Sequence, residues 1–231
     1  MATPRRHRDD RRGAQDLDRQ VPETHPAQPL RRLAMGRGCA HGRLTVTGFT
    51  DRAQDSGDTP PTALFAAGDI SKRIETLADD IAGAMGQEFV LLCVLNGAFI
   101  FTADLARALA ARGCRPRIEF ASFKSYGSST ESSGRVRLVG EFPGNLAGER
   151  VLLVDDILDT GRTLLTARMM VEDAGAQTVA TCVLLDKPAR REAPVEADYV
   201  GFAIDDVFVV GYGIDYAEKF RYLPDLAHIS G

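Results

Sequence analysis

Apolar positions along this chain fall into two regimes. Residues 1–62 sustain no apolar period, whereas from residue 63 onward helical spacing alternates with short continuous apolar runs. Ile74, Leu77 and Ile81 recur at helical spacing, and Asp69 ahead of them reads as the N-cap. Residues 89–95 form an unbroken apolar run, short enough to predict a buried strand. Residues 99–111 predict a helix and 117–123 a second strand. Residues 124–134 are rich in Ser and Gly without apolar period, which predicts a mobile loop. A third buried strand is expected at 151–154, a helix ending in glycine at 163–175, and a fourth strand at 178–185. Strands that alternate with helices predict an α/β fold, a central parallel twisted sheet flanked by helices on both faces. No internal repeat is found.

The first 62 residues contain Pro4, Pro22, Pro26, Pro29, Pro60 and Pro61, six of the eleven prolines. Such a segment buries too little apolar surface to offset its ordering entropy, so disorder is expected there. Asp9, Asp10, Asp16 and Asp18 are wrong for a transit peptide, and no apolar h-region marks a secretory signal. A start assigned too far upstream, with Met35 as the true one, explains the segment equally well. Residues 63–231 are then the functional domain.

Charge narrows the class. A net charge of -4 and a pI near 5.6 argue against nucleic-acid binding through bulk positive charge. No apolar run approaches the roughly 20 residues of a membrane helix. Cys39, Cys93, Cys114 and Cys182 are widely spaced without a CxxC pair, so they read as buried thiols and place the chain in the cytoplasm.

The chemistry concentrates in Val151-Leu-Leu-Val-Asp-Asp-Ile-Leu-Asp-Thr-Gly-Arg-Thr163. A buried strand delivers Asp155 and Asp156 to its carboxyl end, where ligands bind in open α/β sheets. The turn Asp159-Thr160-Gly161-Arg162-Thr163 then opens a helix, and backbone N–H groups at a helix start make an anion site. Thr160 and Thr163 can add hydroxyl donors, and Gly161 lets the backbone approach closely. Carboxylates beside a phosphate cradle make sense if they grip ribose hydroxyls. The segment therefore fits a sugar phosphate. Neither GxxxxGK[ST] nor GxGxxG is present, which disfavours a P-loop or dinucleotide fold. A magnesium-binding acidic pair of a phosphoacceptor domain leaves the Asp159–Thr163 turn unexplained.

This segment resembles the signature for phosphoribosyl pyrophosphate (PRPP) of type I phosphoribosyltransferases. Four further elements resemble the hypoxanthine-guanine branch: Leu95-Asn-Gly-Ala-Phe99, Lys124-Ser-Tyr-Gly127, Leu185-Asp-Lys-Pro188 and Phe208-Val-Val-Gly-Tyr-Gly-Ile-Asp-Tyr-Ala-Glu-Lys-Phe-Arg221. The resemblance spans residues 63–230. It implies a pyrophosphate loop at Leu95, Asn96 and Gly97 with a cis bond between Leu95 and Asn96. Well-known members carry Lys where this chain has Asn96, so that cationic contact does not carry over. It also implies that Ser125 and Tyr126 belong to a flexible loop that closes over the reaction centre and excludes water.

Asp159 matches the family's candidate general acid/base at the purine N7. Lys187 suits the O6 carbonyl of a 6-oxopurine, because an ammonium only donates and would repel an adenine amino group. Phe208 resembles the aromatic that stacks on the base, and backbone groups of Val209 are expected to read its edge. Asp215 matches a magnesium-associated aspartate and Arg221 a pyrophosphate-binding arginine. Magnesium is the implied cofactor, with Asp155, Asp156 and Asp215 as its carboxylates, because PRPP brings dense negative charge.

The expected reaction inverts the anomeric centre as the free base displaces pyrophosphate. A small hood, formed by the C-terminal segment and the chain before Phe89, is expected beside the sheet. PRPP and a free purine are the expected partners, with no nucleic acid and no membrane, in a homodimer or homotetramer. Two alternatives stay open: a PRPP-sensing regulator that binds RNA or DNA, which the acidic pI disfavours, and a sister enzyme preferring xanthine.

Overall fold

The computed structural model describes residues 61–125 and 136–229, all within the compact unit Val46–Gly231. The element order is β1 (Thr62–Phe65), α1 (Ala67–Met85), β2 (Val90–Leu95), α2 (Phe99–Ala111), β3 (Arg117–Ser125), β4 (Val136–Val139), β5 (Arg150–Leu158), α3 (Arg162–Asp173), β6 (Thr178–Asp186), a 3-10 turn (Pro188–Arg190), β7 (Tyr199–Ala203), β8 (Phe208–Val210) and β9 (Leu226–Ile229).

Six strands form the main sheet in the order β4-β3-β2-β5-β6-β7. Five of them run parallel, and β4 pairs antiparallel with β3 at one edge. The expected parallel twisted sheet is therefore present with one antiparallel edge strand. Parallel strands need both faces covered, and the apolar runs of β2 and β5 show it. Leu91, Leu152 and Val154 lie in one core cluster with α1 and α2, while Leu92, Val151 and Leu153 lie in another with α3. Residues on one strand alternate between two separate cores. Among the described residues, no helix is long and apolar enough to cross a membrane. Cys93, Cys114 and Cys182 are free and buried, as expected, and Cys39 lies outside the described residues.

Four local expectations are corrected. Helix α1 begins at Ala67, with Ala66 rather than Asp69 at the cap position and no side-chain cap bond there. Its Ala67 N–H donates instead to Asp225 Oδ1 at 2.7 Å, so the cap comes from the far end of the chain. Asp69 sits in the first turn, where a carboxylate still favours the helix dipole. Strand β5 runs on through Asp155 and Asp156 to Leu158 instead of ending at Val154, because β6 continues to pair with it. Lys124 and Ser125 complete β3 and pair with Arg137 and Val136, so they belong to a strand and not to a loop. Ordered chain reaches back to Thr62, which pairs with His228. Residues 1–60 lie outside the described residues.

A second sheet, ordered β1-β9-β8, forms the hood. Its chain before residue 89 is only β1, because α1 packs against α2 and β7 in the main body. Val209, Tyr212 and Leu226 join the α1–α2 core cluster, so the hood shares that core.

Candidate active site

The carboxyl end of β5 sets the site's first feature. Asp155 is only 5% exposed, while Asp156 is half-buried. Asp155 Oδ1 accepts from the Asp156 N–H at 2.9 Å, and Asp156 Oδ1 accepts from the Ile157 N–H at 2.9 Å. Burial, followed by the adjacent Asp156 charge, pushes the Asp155 carboxyl well above the usual carboxylate range. Asp156 is thus the member of the pair with a face open to a ligand.

Asp156 touches the next element directly. A methyl group at Gly97 would overlap the Asp156 carboxylate, so Gly97 is a position of close approach. The bond between Leu95 and Asn96 is cis, as the resemblance implies. The hood loop closes on the same point, since a methyl on Gly213 would collide with the Gly97 carbonyl oxygen. Arg221 ties that loop down. Its Nη1 donates to Gly213 O at 2.8 Å and its Nη2 pairs with Asp215 Oδ1 at 2.7 Å. Asp215, Arg221, Gly97 and Asp156, drawn from three distant segments, therefore meet on one side of the site.

The turn into α3 follows the carboxylates of β5 in the chain. Gly161, at φ +82, caps the helix, and its first turn carries no acidic side chain to compete with an anion. The expected reason for Gly161 needs correcting, however. A side chain there would meet Val195 Cγ1 at 2.7 Å and Arg191 Cδ at 3.1 Å, so the close approach is to protein behind the turn. Residues 190–193 form a strap around it. Glu192 and Ala193 N–H groups donate to Thr160 O at 3.0 and 2.9 Å. Arg191 Nη1 donates to Leu158 O at 2.9 Å and also to Asp159 O, while its Nη2 binds Asp186. Arg162 is turned toward Glu192, 2.6 Å away, and Thr163 is half-buried. The Asp159 carboxylate pairs with Arg190 Nε at 2.9 Å.

Two further predicted residues are a lysine of low exposure and an exposed aromatic. Lys187 is 7% exposed, and among the described residues no hydrogen bond or ion pair engages its ammonium. Its backbone N–H is fixed by Leu158 O at 3.0 Å, which joins it to the end of β5. Phe208 is 52% exposed and meets Tyr216 edge-on, with ring centroids 5.2 Å apart. Val209 turns its side chain into the core, and β8 is an edge strand of the hood sheet. Ser125 ends β3, and Tyr126 lies outside the described residues.

Sequence reasoning passed over Arg190, Arg191, Gly213 and Tyr216. The only sequence signal for the first two is a basic pair two residues beyond Pro188. Gly213 and Tyr216 lie inside the Phe208–Arg221 stretch, where no residue chemistry sets them apart.

For a metal, the donors on hand are hard carboxylate oxygens, and the described residues contain no group of three or more His, Cys, Asp or Glu able to hold an ion. That set fits a cation carried largely by substrate phosphates and water, as magnesium commonly is, rather than a protein cage.

Known proteins are similar to this chain in sequence and fold. A family model described as the phosphoribosyl transferase domain matches residues 62–217. The hypoxanthine phosphoribosyltransferase of Salmonella typhimurium is 42% identical over 139 residues, covering 60% of this chain and 76% of that protein. The hypoxanthine-guanine phosphoribosyltransferase of Aquifex aeolicus is 41% identical over 165 residues, covering 71% of this chain and 91% of that protein. The solved hypoxanthine phosphoribosyltransferase of Trypanosoma cruzi in complex with the product IMP superposes with a TM-score of 0.67 at 38% identity, covering 73% of this chain and 93% of that one.

Proposed function

The chain belongs to the hypoxanthine-guanine phosphoribosyltransferase family, and from that membership we propose a magnesium-dependent transfer of 5-phosphoribosyl from PRPP to hypoxanthine or guanine. It is a glycosyltransferase of purine salvage. The observation that carries the base assignment is Lys187, a residue only 7% exposed whose ammonium has no hydrogen-bond or ion-pair partner among the described residues. A bound base would cover that ammonium, and the O6 carbonyl of a 6-oxopurine offers it an acceptor where an adenine amino group offers only another donor.

In this reading the purine ring lies against Phe208, with its edge on backbone groups of β8 around Val209. The sugar phosphate occupies the turn Thr160–Thr163 at the start of α3, and Asp156 and Asp155 hold ribose hydroxyls. Gly97 and Arg221 receive the pyrophosphate. A ring nitrogen of the base forms the bond to C1 of the ribose as the C1–O bond to pyrophosphate breaks, with inversion. The base loses one proton, which Asp159 accepts at N7. Magnesium, when bound, neutralises charge on the departing pyrophosphate, and Asp155, Asp156 and Asp215 are the carboxylates offered to it. Closure of the segment that follows Ser125 and holds Tyr126 would keep water from the reaction centre.

Turnover with PRPP and magnesium against a panel of free bases tests the reading. Hypoxanthine or guanine should exceed adenine by about two orders of magnitude or more, given how strongly mismatched polar groups are rejected. Comparable rates with adenine would sink the assignment, and xanthine as the best substrate would redirect it. Excess chelator should abolish turnover and added magnesium restore it.

We further propose that residues 62–231 suffice for activity and that the enzyme works in the cytoplasm as a homodimer or homotetramer. Three free buried thiols support a reducing compartment. A chain shortened to begin at Thr62 should keep full turnover, and light scattering reads the assembly.

A further inference from the structure

We propose that Arg190 is a positioning residue for the Asp159 carboxylate, bridging it to the segment that carries Phe208. This rests on the reading of Asp159 as the group that handles the N7 proton. The guanidinium reaches Asp159 Oδ1 through Nε at 2.9 Å and Asp206 Oδ2 through Nη1 at 3.5 Å. Asp159 stands just ahead of the phosphate turn, and Asp206 stands two residues before Phe208. Arg190 itself ends the 3-10 turn that follows Lys187, and its N–H donates to Lys187 O at 3.1 Å. One planar cation thus connects the proton-handling carboxylate, the O6 contact and the stacking platform.

Stability does not explain the arrangement. Both partners are about half exposed, and ion pairs of that kind contribute little to folding. Positioning explains it. The Asp159 backbone is already held, because Arg191 binds its carbonyl oxygen, but the side chain keeps two rotatable bonds. Arg190 is the partner the structure gives that side chain. A proton acceptor held at a fixed distance and angle acts more effectively than one that roams. A guanidinium suits the task, because its fork can engage two carboxylates in one plane, which an ammonium cannot.

A double-mutant cycle tests this, using the full-length chain with saturating hypoxanthine and magnesium. Arg190→Gln should lower kcat about tenfold with KM for PRPP changed by less than about twofold, the pattern of a contact that matters in the transition state. Arg190→Lys should recover part of that loss, and the thermal midpoint should stay within about 1 °C of the parent, as expected for an exposed pair. In the Asp159→Asn background, Arg190→Gln should have no further effect. An undiminished kcat in Arg190→Gln overturns the proposal. So does the same fold-loss with and without Asp159, which would mean that Arg190 acts on substrate by itself. A full kcat in Asp159→Asn alone would instead remove the acid/base reading on which the proposal stands.

Discussion

The two walls of the site hold unfavourable features of different kinds. The hood wall is conformationally costly. Its loop carries Tyr212, Ala217, Glu218 and Phe220 at positive φ, a region that non-glycine residues enter at about 1–2 kcal/mol each. The β5 wall is electrostatically costly. There Asp155 is buried beside Asp156, while the only positive φ in the turn belongs to a glycine. Backbone strain needs outside restraints to persist, and the hood has them in Arg221, Tyr212 and Asp225. Tyr212 Oη donates to Asp104 on α2, and Asp225 caps α1. A buried carboxylate pair needs instead a ligand, a metal or a proton.

The largest expected effect comes from breaking the hood. Gly213 lies at φ +100, and a side chain there would strike the backbone carbonyl of Gly97, which cannot rotate away. Gly213→Ala should therefore cost about 3 kcal/mol or more in a denaturant melt and abolish activity, since conformational strain and overlap add. A stable, active Gly213→Ala would show that the hood loop is free to relax.

Gly97→Ala makes the opposite kind of collision. Its new methyl meets the end of the Asp156 side chain, which can swing aside. The fold should survive with a thermal midpoint within a few degrees, while KM for PRPP rises by about tenfold or more because the displaced carboxylate no longer holds the ribose. Initial-rate kinetics over a PRPP series reads this. A normal KM would mean that Asp156 is not a substrate contact.

The same contrast explains what the sequence revealed. The β5 wall is one contiguous stretch, so its strand, carboxylates and turn can be read together, and the alternation of strand and helix around it discloses the sheet. The hood is made of strands of four, three and four residues, β1 pairs with β9 across nearly the whole domain, and no local period announces them. The α1 cap is hidden from the sequence for the same reason, because Asp225 is 158 residues from the N–H it binds. Gly161 is legible as a glycine but not in its reason, since Val195 and Arg191 come from a segment some thirty residues downstream. Arg190 shows only as a cation after Lys187, and what makes it interesting is a carboxylate 31 residues earlier.

The smallest expected effect belongs to Asp155, and its sign distinguishes the walls. Asparagine keeps the acceptor oxygen that receives the Asp156 N–H but cannot ionise. The carboxyl has an ordinary value of 3.8 and is raised in the folded protein, chiefly by burial and then by Asp156. Below 3.8 both the folded and unfolded forms of the parent are protonated, and the substitution should change little. As pH climbs through the window above 3.8, the unfolded chain ionises while folded Asp155 holds its proton, so the parent loses stability relative to Asp155→Asn. Past the raised value the loss stays constant. Asp155→Asn should therefore melt higher than the parent at pH 7, with the gap closing toward pH 3.5. Its KM for PRPP should rise at the same time, because charge that destabilises the empty site serves the loaded one. Gly213→Ala, whose cost is steric, should show a gap that does not move with pH. Equal pH dependence in the two variants, or a lower melting point for Asp155→Asn at pH 7, would mean that the β5 wall holds no electrostatic cost and that the contrast between the walls is wrong.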